Sequence, residues 1–374
     1  MKVSLLDLKK EYALLENDIQ KQLQDCFSSQ HWILGEKVVE FEKRAAQYLG
    51  AKHAVGVSSG TEALLLSLRA LAIKLKNKEF FDKKDEIITT SFTFVATAET
   101  IVRSGATPVF VDICPDTFNI DPEKIKKAIN KNTIGILPVH LYGLACAMDE
   151  IKRIAKEHKL FIVEDTAQAF GARYKNEKAG TIGDLGAFSF FPSKNLGGWG
   201  DGGLIATNDQ ALFDLIKVLR DHGQVSRYDA KYIGYNARLD SIQAAILLAK
   251  LKYIEKFNSL RRRVANKYNK YLGKIKELTV PLESDNYYHV YHQYSVKVSK
   301  KRDELLKFLN SKGIESRVYY PVPLHKMEAF KRAKVGGPLK NTMDIISRIL
   351  SLPIHPFLKD AEIKCVIDNI YDFF

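Results

Sequence analysis

The sequence predicts an α/β fold: a large domain with a mainly parallel sheet of the seven-stranded type covered by helices, and a smaller C-terminal α/β domain. Two observations predict it. Short apolar runs at residues 54–57, 86–89, 108–112, 133–139 and 160–164 alternate with helical patterns. Runs that are apolar throughout suit strands buried on both faces, and the helices between them suit crossover connections.

Residues 5–27 carry Tyr12, Leu15, Ile19, Leu23 and Phe27 at spacings of three and four, the mark of an amphipathic helix. A second helix follows Gly35, with Val38, Phe41, Ala45, Tyr48 and Leu49, and stops at Gly50. After the strand at 54–57, Ser58-Ser59-Gly60-Thr61 turns into a helix with Glu62 in its first turn. Helices are expected at 95–103, 122–130 and 148–158, between the strands at 86–89, 108–112, 133–139 and 160–164. Strands at 187–190 and 203–207 then enclose a glycine-rich loop. Helices follow at 209–220, 238–257 and 261–272. The last third reads as a strand at 290–298, a helix at 302–312, a strand at 315–319, and helices near 341–350 and 360–371. The expected division is 1–250 for the large domain and 251–374 for the small one, with the N-terminal helix free to pack on the small domain.

Composition narrows the class. Hydrophobic content of 46% with 27% charged residues is ordinary for a globular protein. No apolar run approaches the roughly 18 residues of a membrane span, so no membrane partner is expected. Residues 1–10 lack an apolar signal-peptide core. Cys26, Cys114, Cys146 and Cys365 are far apart, which argues against zinc and disulfides and for a reducing cytoplasm. The net charge of +13 is spread among acids, and only Arg261-Arg262-Arg263 is a compact basic run. It lies inside a helical pattern, so the excess reads as solvated surface rather than a nucleic-acid footprint.

Four pieces carry chemistry. The stretch leading to Lys194 is apolar, and five glycines follow it before residue 204. Such surroundings disfavour an ammonium and leave an amine able to form a Schiff base with a carbonyl. Taken alone, Lys194 also suits a surface lysine beside a flexible turn. Ser58-Ser59-Gly60-Thr61, between strand and helix, presents free N–H groups to a phosphate, although Thr61 equally suits a helix cap. Asp165 ends an apolar strand, where α/β sheets collect ligands; it suits a protonated ring nitrogen or a cap on a following helix. Ser189 lies five residues before Lys194 and could reach a phosphate. Together they match pyridoxal 5′-phosphate chemistry.

The order Ser59-Gly60-Thr61, Ser91-Phe92-Thr93-Phe94-Val95-Ala96-Thr97, Glu164-Asp165-Thr166-Ala167-Gln168, Ser189 to Lys194, Gly234 to Asp240 and Arg317 to His325 resembles the DegT/DnrJ/StrS-type nucleotide-sugar aminotransferases. The resemblance covers essentially the whole chain. It implies a fold type I, aspartate-aminotransferase-like subunit working as a homodimer with shared active sites. It implies that Lys194 binds the cofactor as a Schiff base and that Asp165 pairs with the pyridine nitrogen. Gln168 would lie near the ring hydroxyl and Phe94 would stack on the ring. Gly60, Thr61 and Ser189 would hold the phosphate, with Asn236 reaching in from the partner. Arg238, Tyr319, Tyr320 and His325 match positions that line the sugar-nucleotide site.

The implied reaction moves an amino group from an amino acid, L-glutamate as the expected donor, to a keto-sugar, with the freed Lys194 carrying the proton. No metal is implied. Residues 195–203 resemble the loop of relatives that aminate C3 of a hexose, and Trp199 is expected to limit how far the sugar slides; amination at C4 is the alternative. Relatives that are dehydratases carry histidine in place of the lysine. A PLP-binding regulatory protein is the non-enzyme alternative, although no separate helix-turn-helix segment is visible.

Overall fold

The computed structural model describes residues 1–374. In chain order its strands are β1 (His53–Val57), β2 (Glu86–Thr90), β3 (Thr107–Val111), β4 (Thr133–Leu137), β5 (Phe161–Asp165), β6 (Arg173–Tyr174), β7 (Glu177–Lys178), β8 (Leu185–Ser189) and β9 (Gly203–Thr207). They continue with β10 (Gln224–Ser226), β11 (Asp229–Ala230), β12 (Leu278–Thr279), β13 (Tyr287–Tyr288), β14 (Tyr294–Val298), β15 (Lys334–Val335) and β16 (Ile349–Leu352). The α-helices are α1 (Leu8–Ser29), α2 (Glu36–Leu49), α3 (Gly60–Lys76), α4 (Ala96–Arg103), α5 (Pro122–Ala128), α6 (Met148–His158), α7 (Gln210–Arg220), α8 (Ser241–Leu251), α9 (Ile254–Leu272), α10 (Arg302–Ser311), α11 (Lys340–Arg348) and α12 (Asp360–Phe373). None is long and apolar enough to cross a membrane.

The main sheet has the order β1-β9-β8-β5-β4-β2-β3-β15. Seven of these strands have five residues; β15 adds a two-residue eighth at the edge. Only β9 runs against the rest, pairing antiparallel with both β8 and β1. The cause is local. β8 reaches β9 through a loop without a crossover helix, and such a connection returns the chain antiparallel. Each remaining parallel pair is joined through a helix or a long excursion, and apolar side chains cover both faces. Leu64, Leu68, Ile87, Val163 and Ile205 belong to one core; Ile88, Val109, Ile136, Ile151 and Ile162 belong to the other.

A separate core gathers Val264, Tyr268, Tyr294, Val296, Leu305, Leu350 and Val366 around the sheet β12-β14-β16. Val3 joins that core and bridges to Ile314, whereas Leu15 and Ile19 of α1 pack on Ile246 and Ala249 of α8. The N-terminal segment therefore touches both units.

Four expectations change. Residues 315–319 form no strand; Arg317 makes a single bridge to Ser351, and the third strand of the small sheet is β16, which the helical reading of 341–350 concealed. Its residues Ile349–Leu352 are all buried, a pattern that does not separate a strand from a helix end. The helical region near 250 breaks at Lys252–Tyr253 rather than near 258. β15, although in the last third, lies on β3 at the edge of the main sheet. The short sheet β13-β6-β7 and the hairpin β10-β11 carry no apolar alternation and left no signal.

Candidate active site

The carboxyl ends of β1, β5 and β8 and the amino end of β9 lie at one edge of the sheet, the edge at which open α/β sheets bind ligands. A cavity of about 460 Å³ opens there. Gly60, Thr61, Phe94, Asp165, Gln168, Ser189, Lys194, Tyr319 and Tyr320 all line it, brought together from five separate stretches of chain.

At one end β1 turns through Ser58 into α3. Ser59 is the cap: its Oγ accepts from the Glu62 N–H at 3.0 Å. Thr61 is thus released from capping, and its hydroxyl is left for the cavity. Gly60 faces Ser189 so closely that a Cβ at 60 would lie 2.6 Å from the Ser189 Cβ. Free first-turn N–H groups, the positive end of the α3 dipole and two hydroxyls make a cradle that fits a phosphate.

Asp165 closes β5 and is 5% exposed. Its Oδ2 accepts from the Thr97 hydroxyl at 2.8 Å and its Oδ1 from the Ala167 N–H at 3.2 Å. No helix follows, so Asp165 caps none. Burial raises its pKa above the ordinary carboxylate value; the Thr97 and Ala167 bonds and the Lys194 charge oppose that rise. A cation arriving in the cavity would favour the carboxylate further. Directly beneath, Glu164 is fully buried. It accepts from the amides of Gly180, Ile182 and Gly183 at 2.8, 2.7 and 2.6 Å, and its Oε2 lies 2.8 Å from the His140 Nε2. The Cys146 N–H donates to the His140 Nδ1 at 3.0 Å, so Nε2 carries the proton and donates to Glu164.

Lys194 follows β8 in a tight turn, its N–H donating to the Phe191 carbonyl at 2.8 Å. The side chain is half-buried. Desolvation brings its pKa down to about 8, and the Asp165 charge pulls the other way. The next residues are pinned. Asn195 Nδ2 donates to Asn258 Oδ1 at 2.7 Å and to the Val290 carbonyl at 3.0 Å, and the Trp199 N–H donates to Gln243 Oε1 at 2.8 Å. Gly197 is needed here: a Cβ at 197 would strike the Pro192 backbone carbonyl oxygen at 2.4 Å.

Gln168 is fixed at both ends. Its Oε1 accepts from the Tyr142 N–H at 2.8 Å, and its Nε2 donates to the Tyr320 hydroxyl at 2.9 Å. The Tyr142 hydroxyl in turn donates to the Tyr319 carbonyl. Phe94 is 54% exposed, with its ring centroid 6.1 Å from that of Tyr320. An exposed aromatic ring at the mouth of a cavity is available to a planar ligand.

Four expected residues lie off this cavity. The His325 Nδ1 is 2.7 Å from the Ser91 Oγ, and burial lowers its pKa. Arg238 donates to Asp221 Oδ1 at 2.8 Å, and Asn236 bridges the Asp221 backbone. Trp199 does not line the cavity either. It stands against Tyr12 of α1, ring centroids 5.4 Å apart, so it restricts no ligand within one chain.

The cavity also holds residues the sequence did not single out: Thr93, Tyr142, Asp201, His292 and Gln293. Thr93, in the bend before α4, and Thr97, in its first turn, have their hydroxyls 3.2 Å from each other. Tyr142, His292 and Gln293 come from irregular segments, where no periodicity marks a residue.

A model of the DegT/DnrJ/EryC1/StrS aminotransferase family matches residues 14–371. The chain is 42% identical to a pleiotropic regulatory protein of Geobacillus stearothermophilus, covering 100% of this chain and 99% of the relative. It is 39% identical to the UDP-2-acetamido-2-deoxy-3-oxo-D-glucuronate aminotransferase of Pseudomonas aeruginosa, covering 97% and 98%. The crystal structure of S. venezuelae DesV in complex with a ketimine intermediate superposes with a TM-score of 0.94 at 36% identity, covering 100% and 98%. NtdA of Bacillus subtilis with bound cofactor PMP superposes with a TM-score of 0.90 at 32% identity, covering 99% and 85%.

Proposed function

Because the chain belongs to the DegT/DnrJ/EryC1/StrS aminotransferase family, we propose that it moves the amino group of L-glutamate to C3 of a nucleotide-linked keto-hexose. It is a pyridoxal 5′-phosphate-dependent nucleotide-sugar aminotransferase of fold type I. The observation that carries the reading is the meeting of Lys194, Asp165 and the α3 amino terminus in one cavity. The C3 assignment is supported by the relative named for a 3-oxo sugar.

The residues present fit the cofactor. Gly60, Thr61 and Ser189 would hold its phosphate, Asp165 its ring nitrogen and Phe94 a ring face. Gln168 would lie near the ring hydroxyl. When bound, the cofactor supplies an electron sink for the carbon bearing the amino group. Asp165, whose charged form the Thr97 and Ala167 bonds favour against the effect of burial, would pair with the protonated ring nitrogen. Lys194 has a pKa of about 8, so amine and ammonium are both accessible near neutral pH, as a group that takes up and returns a proton requires. Tyr319 and Tyr320 bound the space left for the sugar.

The partner reading is a homodimer with shared sites. Asn236 and Arg238 stand away from their own cavity, and nearby Val225, Tyr228 and Ile233 are exposed apolar residues that suit a second copy of the chain. The four cysteines are all unpaired, in keeping with a reducing cytoplasm.

The test offers the amine-loaded protein a 3-keto and a 4-keto nucleotide hexose at equal concentration and follows the cofactor absorbance. Faster return of the aldehyde form with the 3-keto sugar is expected. Preference for the 4-keto sugar overturns C3. No response to glutamate or either sugar, together with DNA binding, favours a regulatory protein like the Geobacillus relative by name.

A further inference from the structure

The two threonines of α4, Thr97 and Thr100, place their hydroxyls differently. The Thr100 hydroxyl donates back into the helix, to the carbonyls of Ala96 and Thr97 at 3.0 and 3.1 Å, the usual bond for a threonine there. The Thr97 hydroxyl leaves the helix and donates to Asp165 at 2.8 Å. A hydroxyl has one proton, so across the 3.2 Å between Thr97 and the Thr93 hydroxyl only Thr93 can be the donor. The longer bond suits a neutral pair beside a charge-assisted one. Thr97 is fully buried; Thr93 is 2% exposed and lines the cavity. The backbone is held on both sides of Thr93. Before it, the Ser91 carbonyl accepts from the Leu324 N–H at 2.9 Å and the Phe92 N–H donates to the Thr90 hydroxyl at 3.1 Å. After it, the Phe94 carbonyl accepts from the Thr97 N–H at 3.3 Å.

We propose that Thr93 is a positioning residue for Asp165 that acts through Thr97: its proton, given to the Thr97 oxygen, turns the Thr97 hydroxyl onto the carboxylate and strengthens that bond. A hydroxyl rotates to suit its partners, and accepting from Thr93 occupies the oxygen on the side from which Thr97 would otherwise turn back into the helix. Chained hydrogen bonds polarise one another in a low-dielectric interior. Burial works to protonate Asp165, so each donor in the chain favours the charged form against it. With its proton given to Thr97, Thr93 has only lone pairs left to offer the cavity.

This inference rests on the functional reading for its purpose, a charged Asp165, but its test needs neither cofactor, sugar nor glutamate, so either can fail without the other. The full-length protein, freed of cofactor, carries aspartate labelled with carbon-13 at the carboxyl. The Asp165 signal, identified by its loss in Asp165→Asn, is followed by NMR from neutral to acid pH. The titratable groups facing Asp165, namely Lys194, Asp201 and His292 around the cavity, His140 and Cys146 after β4, and Tyr320, stay in place in every variant. Losing a donor from the chain disfavours the carboxylate and raises the midpoint. Thr93→Val is expected to raise it by about 0.3 pH unit, a factor of about two, and Thr93→Ser, which keeps the hydroxyl, to match wild type. Added to Thr97→Val, Thr93→Val is expected to change nothing further, because the chain is already cut. An unmoved midpoint in Thr93→Val, or a shift that persists undiminished on top of Thr97→Val, overturns the proposal. Thr93→Ala against Thr93→Ser, a pair that differs only in the hydroxyl, keeps the test decisive should the Val variant fail to fold.

Discussion

Thr97 donates its hydroxyl to Asp165 at 2.8 Å, from the first turn of α4 to the last residue of β5. Burial works to protonate this carboxyl, and the threonine is the foremost of the contacts that oppose it. Removing the hydroxyl while keeping the shape, as Thr97→Val does, raises the Asp165 pKa further. If activity needs the carboxylate, the acid limb of the kcat/KM profile moves to higher pH. At neutral pH kcat/KM falls about tenfold, the effect of a hydrogen bond to a charged group worth ~1.5 kcal/mol. An unmoved acid limb counts against Asp165 as the working carboxylate.

Lys194→Ala is expected to abolish turnover and leave cofactor bound only reversibly. Borohydride treatment of the wild type should fix the cofactor on the Lys194 peptide. A label on any other lysine removes Lys194 from the centre of the site.

Gly60→Ala tests the phosphate cradle. The new Cβ would lie 2.6 Å from the Ser189 Cβ and 3.2 Å from its Oγ. One of the two elements must shift, at a cost of about 1–3 kcal/mol for overpacking. Cofactor affinity is expected to drop at least about tenfold, measured by equilibrium titration of the absorbance. Unchanged affinity would place the phosphate elsewhere.

Glu164→Gln puts an amide where four donors converge on a fully buried carboxylate. At least one donor loses its acceptor, and an N–H comes to face an N–H. A loss of about 2–3 kcal/mol in urea unfolding is expected. A change below about 0.5 kcal/mol, the usual scatter of surface substitutions, would mean that the cluster holds nothing.

Shared sites are tested by mixing. Lys194→Ala and Asn236→Asp, each inactive alone, should regain activity when subunits exchange. Each mixed dimer keeps one intact site of two, so random exchange restores about a quarter of wild-type activity. No recovery after proven exchange places Asn236 in its own subunit's chemistry or in none.

The parallel sheet was legible because its strands are buried on both faces, and Lys194, Asp165, Gly60, Thr61 and Ser189 could be grouped because each lies at or a few residues beyond the carboxyl end of a strand. Thr61 was ambiguous, since only coordinates reveal that Ser59 takes the cap. β16 was concealed because four buried residues after a helix fit either period. Tyr142 and His292 were out of reach. Their place depends on how an irregular turn at 142–143 docks against another at 290–293, and neither segment has a repeat to read. Arg238 and Asn236 show the opposite limit: they lie off the cavity of their own chain, and the expectation that Asn236 serves the partner came from the resemblance and not from any pattern in the residues.

The reversed strand β9 also bears on how the protein is made. β1 stands at the edge of the sheet with β9 as its single neighbour, and His53 pairs with Thr207. The strand that leads into the phosphate cradle therefore leaves the ribosome long before the strand that secures it. Until β9 emerges, β1 has an unpaired edge on both sides and the turn into α3 has nothing behind it. Pairing across so wide a sequence interval is slow to form, and exposed strand edges in the meantime invite association with other chains. The site is therefore among the last parts of the large unit to be assembled during synthesis, and nascent chains arrested before β9 are the ones most exposed to aggregation.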